Sequence, residues 1–445
     1  MSLSSKYMSV VRKILPSPLA IALLLTLFTA ILAIVFTDIP NGQNRIGYVS
    51  DAWSKGFWEL LAFTMQMMIM LVLGHMLALS KTVGKLIAWI TSLCTSQARA
   101  AIFITIFSIL MGYLNWGLGL IFGAILARKV AEHAAKNNIP INYPLLGACG
   151  YVSILVWHGG LSGSAPLTIA KTGHSLESVM GVIPITETIL TQGNLVAFAL
   201  VLIFLPLLAW LLSKGGNNLL TSLKEVQTSS NEEVQLDGAE RLDRWKYLGL
   251  FFGILVLLTA VRQFLSTPEK LSYLNLDSIN FMLFGLALCF HGSLFKFVQA
   301  AEEAIKGTTG ILIQFPIYAG IMGIMKYTGL LALFANFFIQ ISTPTSFPFF
   351  AYVSASIVNI LVPSGGGQWQ VQGPMLIEAA KTLGVPFKKV VMALAYGDQL
   401  TNMLQPFWAL PLLGITGLKA KDILPYSALF MLVAGTIYLA ILYIF

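Results

Sequence analysis

Two stretches decide the fold of this chain: Leu114-Asn115-Trp116-Gly117-Leu118-Gly119 and Asn359-Ile360-Leu361-Val362-Pro363-Ser364-Gly365-Gly366-Gly367. Each is a polar, glycine-rich interruption in the middle of a long apolar segment. Backbone polar groups cannot stay unpaired in lipid, so such a break survives at membrane depth only where protein buries it or a cavity hydrates it. Two breaks at corresponding places in two halves of a chain are typical of the binding site of a secondary transporter.

The composition places the chain in a membrane. Of its 445 residues 57% are hydrophobic and only 10% are charged, and the mean hydropathy is +0.79. Soluble domains carry about 25% charged residues, so this chain has too few charges to cover a water-facing surface. The net charge of +8 does not indicate a nucleic-acid partner, because the basic residues fall in short loops between apolar runs, where membrane topology explains them.

Apolar runs of about 20 residues, the length that crosses a bilayer, predict an all-α polytopic membrane protein. We predict spans at 18–37, 56–80, 144–172, 190–212, 246–265, 277–295, 308–327, 387–417 and 423–443. Two longer segments, 98–134 and 346–383, are interrupted near their middle by the two stretches quoted above. We interpret each as a re-entrant helical hairpin, which enters and leaves on the same side of the membrane.

The two halves of the chain are similar to each other. Ala148-Cys149-Gly150-Tyr151 matches Ala393-Leu394-Ala395-Tyr396, and the same shift aligns Pro166 with Pro411. An odd number of crossings between the halves would make them inverted repeats. The predicted domains are a first repeat over 1–212, a cytoplasmic linker over 213–245, a connecting transmembrane helix over 246–265 and a second repeat over 266–445. Most lysines and arginines fall inside when the N-terminus is cytoplasmic, which places the C-terminus outside.

The hairpin tips and two later breaks, at 157–166 and 398–406, supply the candidate binding residues. Glycine lets backbone amides approach a ligand closely, and a helix that resumes after a break presents free N–H groups and a positive dipole end. For any single glycine, a closely packed helix pair is the alternative interpretation. The predicted substrate-binding residues are Asn115, Gly117, Gly119, His158, Ser162, Ser164, Asn359, Ser364, Gly365, Gly366, Gly367, Gln368 and Trp369.

Asp398 is the most informative titratable residue, because a carboxylate inside a span costs at least a few kcal/mol unless it is paired. We expect it to bind a proton or a sodium ion together with Gln399, Asn402 and Gln405. The alternative is that Asp398 is a structural acceptor of hydrogen bonds. His158 is either a proton carrier or substrate ligand, or a donor that satisfies the local backbone.

The predicted breaks contain no lysine or arginine, so an anionic substrate would rely on helix dipoles and on the donors of Ser, Asn and Gln. This arrangement suits one carboxylate with a small apolar tail better than a polyanion. Four tryptophans neighbour the breaks and either wall a small apolar site or fill space at helix ends: Trp116, Trp157, Trp369 and Trp408.

Several strings together resemble the bacterial short-chain fatty acid transporter family, the acetoacetate and butyrate uptake type within the ion-transporter superfamily. The resemblance covers nearly the whole chain and implies an elevator-type fold with two inverted repeats, a homodimer, and a place in the bacterial cytoplasmic (inner) membrane. The family also has glutamate at the acidic position that is Asp398 here, which leaves the coupling ion open. The strings are Asn115-Trp116-Gly117, Gly159-Gly160-Leu161-Ser162-Gly163-Ser164, Val362-Pro363-Ser364-Gly365-Gly366-Gly367-Gln368-Trp369, Ala395-Tyr396-Gly397-Asp398-Gln399 and Gln405-Pro406-Phe407-Trp408-Ala409-Leu410-Pro411.

Together these features predict a symporter that takes up a short-chain monocarboxylate, such as butyrate or acetoacetate, with H⁺ or Na⁺. An exporter of small carboxylates or drugs and a passive anion channel are the alternatives. Neither a metal-ligand cluster nor a nucleophile–base pair can be read from the spacing, so no enzymatic activity and no bound cofactor is predicted. The lipid bilayer and the carboxylate are the expected partners.

Overall fold

The computed structural model describes residues 18–38, 44–59, 61–170, 173–174, 176–215, 238, 241–267, 273, 276–330, 333, 336, 340–361 and 365–445. This part of the chain is all-helical, as the composition predicts. Ser364 and most of the predicted linker lie outside the described residues. Four of the described helices are long and apolar enough to cross a bilayer: Gln97–Leu114, Gln192–Ser213, Tyr247–Ser266 and Ala420–Ile444.

The helices form two groups that pack mainly within themselves. The first, here called the scaffold group, comprises Pro18–Phe36, Arg45–Phe57, Leu61–Leu79, Lys246–Ser266, Leu276–His291, Leu294–Ile305 and Thr309–Tyr327. The second, here called the core group, comprises Gln97–Leu114, Trp116–Lys136, Tyr143–Tyr151, Ser164–Ile169, Gln192–Ser213, Phe347–Leu361, Gly365–Leu383, Phe387–Thr401, Pro406–Thr416 and Ala420–Ile444. Helix Lys81–Leu93 contacts both groups.

The two groups meet along two helix pairs, one in each half of the chain. Leu61–Leu79 packs on Trp116–Lys136, and Thr309–Tyr327 packs on Pro406–Thr416. In the first pair a Cβ at Gly74 would lie 3.1 Å from Ile121, and in the second a Cβ at Gly310 would lie 3.1 Å from Leu410. Small residues thus let a scaffold helix approach a core helix closely in both halves.

The first hairpin consists of Gln97–Leu114 and Trp116–Lys136, joined by the single extended residue Asn115. The Asn115 side-chain oxygen accepts a hydrogen bond from the Leu118 N–H, so the same residue ends one helix and caps the next. The two helices touch through glycine, because a Cβ at Gly119 would lie only 2.4 Å from the Gly112 Cα. Gly119 therefore packs the hairpin together.

The second hairpin consists of Phe347–Leu361 and Gly365–Leu383. Its helices are joined by a buried amide chain: the Gln368 Nε2 donates to the Ala355 carbonyl at 2.9 Å and to the Gln372 Oε1 at 2.8 Å. Trp369 is also buried inside this hairpin, where a Cβ at Gly373 would lie 2.8 Å from its Cε3. The side chains of Gln368 and Trp369, two of the predicted substrate-binding residues, thus contact residues of their own hairpin.

Each hairpin is followed by an interrupted span. The first broken span runs over residues 143–169, with a helix Tyr143–Tyr151, a 3₁₀ turn Val152–Leu155, a non-helical segment and a helix Ser164–Ile169. The second broken span runs over residues 387–416, with a helix Phe387–Thr401, a 3₁₀ turn Asn402–Leu404, the extended residue Gln405 and a helix Pro406–Thr416. Hairpin and broken span follow in the same order in both halves, as the sequence similarity predicts.

Two helices of the scaffold group differ from the predicted spans. Arg45–Phe57 is a separate helix before Leu61–Leu79, where we predicted one span over 56–80, and Leu294–Ile305 follows the predicted span 277–295. Both are short and amphipathic, with charged residues on one side, so neither produces a long apolar run. Hydropathy finds long uniform helices and overlooks such segments.

Candidate functional site

A fully buried pair of titratable side chains joins the two broken spans. The His158 Nδ1 lies 2.6 Å from the Asp398 Oδ2, and both side chains have 0% exposure. The Ala165 N–H donates to the other ring nitrogen, the His158 Nε2, at 3.0 Å. Because Nε2 accepts, Nδ1 carries the proton of a neutral imidazole and donates to the carboxylate. The ionised pair therefore has a net charge of −1.

No buried basic side chain in the described part of the chain compensates this charge. Asp398 is the only carboxylate among its buried residues, and no lysine or arginine is buried there. The second carboxylate oxygen, Asp398 Oδ1, is buried without a hydrogen-bond partner. Burying an unpaired charged acceptor is costly, so this oxygen is a place where a proton or a cation would be stabilised.

The tip of the second hairpin lies directly on this pair. A Cβ at Gly365 would come within 2.6 Å of the Trp157 Cη2, 2.8 Å of the His158 Cε1 and 3.0 Å of the Asp398 Oδ2. Only glycine fits in so small a space. Because Gly365 begins a helix of 19 residues, the positive end of the helix dipole lies beside the carboxylate.

The next glycine of the tip is less crowded. A Cβ at Gly366 would make an ordinary contact, 3.7 Å from the Ser164 Cβ. Gly366 and Gly367 belong to the first turn of the helix, and Ser164 begins the last helix of the first broken span. The second tip therefore meets both broken spans, which the sequence could not establish.

Side-chain amides hold the non-helical backbone of the first broken span. The Gln399 Oε1 accepts hydrogen bonds from the N–H groups of His158 at 2.9 Å and Gly159 at 3.2 Å. The Asn194 Nδ2 donates to the Gly159 carbonyl at 2.7 Å, and the Tyr396 hydroxyl donates to the Asn194 Oδ1 at 2.8 Å. The sequence analysis missed Asn194, although an asparagine just inside an apolar span is a signal for such a role.

A second buried cluster is rich in oxygen atoms and surrounds Asn359 of the second hairpin. The Asn359 Nδ2 lies 2.6 Å from the Asp398 carbonyl, 3.0 Å from the Thr401 Oγ1 and 2.7 Å from the Asn402 Oδ1. An amide nitrogen has two hydrogens for these three acceptors. The Gln405 Nε2 donates to the Asn359 carbonyl at 2.6 Å. Asn359 is thus brought together with three of the predicted ion-coupling residues, Asp398, Asn402 and Gln405, whereas Gln399 binds the first broken span. Thr401 is a further member that we did not predict.

The tip of the first hairpin is fixed to the first broken span. The Trp116 N–H donates to the Ser162 Oγ at 3.1 Å, and the Leu161 N–H donates to the Tyr113 carbonyl at 2.8 Å. Gly117 is buried in the first turn of the second hairpin helix. The Asn115 Nδ2 is buried without an acceptor, so the tip retains a free donor.

Three of the four predicted tryptophans form one cluster beside the buried pair. Their ring centroids are 6.1 Å apart for Trp116 and Trp157, 5.0 Å for Trp116 and Trp408, and 6.3 Å for Trp157 and Trp408. Trp157 also stacks on the His158 ring at 4.4 Å. The described residues contain no group of three or more His, Cys, Asp or Glu that could hold a metal ion. The site therefore offers a carboxylate oxygen without a partner, Asp398 Oδ1, and two donors without acceptors, Asn115 Nδ2 and Trp157 Nε1.

Comparisons with known proteins show the family to which this chain is similar. The family model described as short chain fatty acid transporter matches residues 1–445. A protein of Escherichia coli (strain K12), itself named as a candidate short-chain fatty acid transporter, is 36% identical over 429 residues, which are 95% of this chain and 95% of that protein. A protein of Haemophilus influenzae (strain ATCC 51907 / DSM 11121 / KW20 / Rd) with the same name is 35% identical over 452 residues, covering 99% of this chain and 98% of its own.

Two solved structures are also similar to this chain. One is MtrF of Neisseria gonorrhoeae, described among a class of antimetabolite efflux pumps, with a TM-score of 0.44, 13% identity and 97% of both chains covered. The other is the YdaH transporter of Alcanivorax borkumensis, with a TM-score of 0.42, 17% identity, and 95% of this chain and 98% of that chain covered.

Proposed function

Because the chain belongs to the short-chain fatty acid transporter family, we propose that it is a symporter for a small monocarboxylate. It would take up an acid such as butyrate or acetoacetate with a coupling cation across the bacterial cytoplasmic membrane. The observation that carries this proposal is the His158–Asp398 pair, which is fully buried and covered by the tip of the second hairpin. Among the residues that the structure describes, no buried lysine or arginine accompanies it.

Electrostatics explains how this pair would couple two fluxes. Two carboxylates about 4 Å apart repel each other by about 4 kcal/mol at an effective dielectric constant of about 20. A substrate carboxylate beside an ionised Asp398 would meet this repulsion without a basic side chain to offset it. Once a proton or a cation neutralises Asp398, the helix dipole of the second tip and the free donors of the site can hold the substrate. Substrate and cation would therefore bind together.

Two features favour different coupling ions. The buried pair favours a proton as the coupling ion, because His158 occupies Asp398 Oδ2 and leaves Oδ1 without a partner, so that a proton could bind there. The oxygen cluster around Asn359 favours sodium, which unwound transporter helices bind through carbonyl and side-chain oxygens. We propose proton coupling as the primary mechanism and sodium as the second candidate.

Reconstitution into proteoliposomes tests the proposal. With an inward proton gradient, the purified protein should accumulate radiolabelled butyrate well above equilibrium, and an ionophore should abolish the accumulation. If accumulation requires an inward sodium gradient, the coupling ion is sodium, and its proposed site is the oxygen cluster around Asn359. Equilibration without accumulation would indicate a passive channel, and accumulation driven by an outward gradient would indicate an exporter; either result would contradict the proposal.

An elevator movement with inverted repeats is part of the same proposal. The core group contains both hairpins and both broken spans, and it meets the scaffold group along two helix pairs. Such a division suits alternating access in which one group moves against the other. The homodimer, the cytoplasmic N-terminus and the outside C-terminus, which the resemblance and the charge bias suggest, remain proposals.

Cysteine labelling tests the inverted arrangement. In a background in which the three native cysteines are replaced, Arg99→Cys and Lys129→Cys should react with an impermeant reagent from the cytoplasmic side. Thr345→Cys and Lys381→Cys, at exposed positions, should react from outside, because the second hairpin would enter from the opposite face. If positions 99 and 129 were labelled from opposite sides, the first hairpin would cross the membrane completely and the inverted-repeat proposal would fail.

A further inference from the structure

We propose that the cluster of Trp116, Trp157 and Trp408, here called the tryptophan cluster, sets the chain length of the acid that is transported. This inference rests on the proposed function, since it assigns the apolar end of the substrate to a place in the same site. The carboxylate would lie toward His158 and the first tip, and the alkyl tail would lie against the indole rings.

The cluster brings together three separate breaks of the chain. Trp116 is the first residue after the Asn115 break, Trp157 lies in the non-helical segment of the first broken span, and Trp408 lies in the first turn after Gln405. All three indoles are buried, with 3–6% exposure. Large apolar rings at the junction of three interrupted helices form a surface that favours an alkyl group over water.

Trp157 connects this surface to the polar part of the site. One face of its indole stacks on the His158 ring at an interplanar angle of 19°, and its Cη2 lies where a side chain at Gly365 would point. The Trp157 Nε1 is buried without an acceptor, and so is the Asn115 Nδ2 of the first tip. Buried donors without partners are uncommon in proteins, and a carboxylate would supply two acceptor oxygens to them.

The remaining rings would limit the length of the tail. Trp116 and Trp408 meet edge to face at 5.0 Å, so a tail that lay against the cluster would meet rigid rings that cannot fold aside as a methionine would. A longer acid would have to displace an indole. A dicarboxylate would bring its second charge against these rings, and the described part of the chain has no buried lysine or arginine to pair with it. The cluster thus selects short acids with a single carboxylate.

Competition against butyrate uptake in proteoliposomes tests the inference. Unlabelled acetate, butyrate, hexanoate, octanoate and succinate are titrated against the wild type, Trp116→Phe and Trp408→Phe. Each replacement removes the pyrrole part of one indole and keeps an aromatic ring. We expect the ratio of the hexanoate to the butyrate inhibition constant to fall about tenfold in either variant, as one or two methylenes become accommodated. Trp89→Phe is the matched control, because Trp89 is an exposed residue of helix Lys81–Leu93 and should leave the ratio unchanged.

The ratio separates a specificity role from a structural one. A packing role would weaken all acids alike and leave the ratio at its wild-type value in monodisperse protein, and this result in both variants would overturn the inference. Trp157→Phe gives a second readout, because it keeps the ring on His158 and removes the N–H, so every monocarboxylate should bind about tenfold more weakly. If Trp157→Phe binds monocarboxylates as tightly as the wild type does, the Trp157 N–H does not contact the carboxylate. A wild type that transports no monocarboxylate would overturn the proposed function itself.

Discussion

Replacing Asp398 with asparagine is expected to abolish gradient-driven accumulation of substrate and to leave exchange across the membrane measurable. Asparagine keeps the size of the side chain and can still accept the hydrogen bond from His158, but it cannot bind a proton or carry a charge. The substitution leaves unchanged the N-terminus of helix Gly365–Leu383 in the second hairpin and the donors of the first tip. We therefore expect accumulation to fall at least tenfold, to the level of empty vesicles, while substrate counterflow continues.

Both quantities are measured on the same purified protein, with and without an imposed ion gradient. Glu378→Gln is the matched control, because Glu378 is an exposed carboxylate of the second hairpin and should retain coupled uptake. If Asp398 is only a structural acceptor, Asp398→Asn should lower thermal stability and keep coupling in the protein that folds. Full concentrative uptake by Asp398→Asn would rule out the coupling role.

The second large effect is expected at Gly365. A methyl group there would lie 2.6 Å from the Trp157 ring and 2.8 Å from the His158 ring, and these two rings are stacked on each other, so neither can yield easily. Gly365→Ala should move the second tip away from the buried pair and reduce uptake at least tenfold. Overpacking of this kind costs about 1–3 kcal/mol, so the variant should remain folded in detergent.

Gly366→Ala is the matched comparison, one residue away on the same helix turn. Its Cβ would make an ordinary 3.7 Å contact with Ser164, so we expect a much smaller loss of uptake and a similar melting temperature. Equal losses in the two variants would mean that the glycines are needed for the flexibility of the tip. Normal uptake in Gly365→Ala would show that the second tip does not lie on the pair during transport.

The sequence by itself determined where the helices are interrupted. Asn115 ends one helix and caps the next because its side chain bonds to the backbone three residues on, a local property that residue type alone predicts. The break before Pro406 follows in the same way, since proline at the start of a helix is readable from neighbouring residues. The all-helical class and the two similar halves came from hydropathy and from short repeated strings, which also depend only on nearby sequence.

The tertiary structure decided which of these polar residues meet. His158 and Asp398 are separated by 240 positions. No local sequence pattern predicts that the imidazole ring of one contacts the carboxylate of the other. The same holds for Asn194, which reaches Gly159 from the first turn of helix Gln192–Ser213, and for Asn359, which lies with the oxygen atoms of the second broken span. The tertiary structure also decided that the Gln368 side chain bonds within its own hairpin. It further decided that a Cβ would clash at Gly365 and would fit at Gly366. Such contacts depend on how closely packed helices are rotated and spaced against each other, and that is a property of the whole fold.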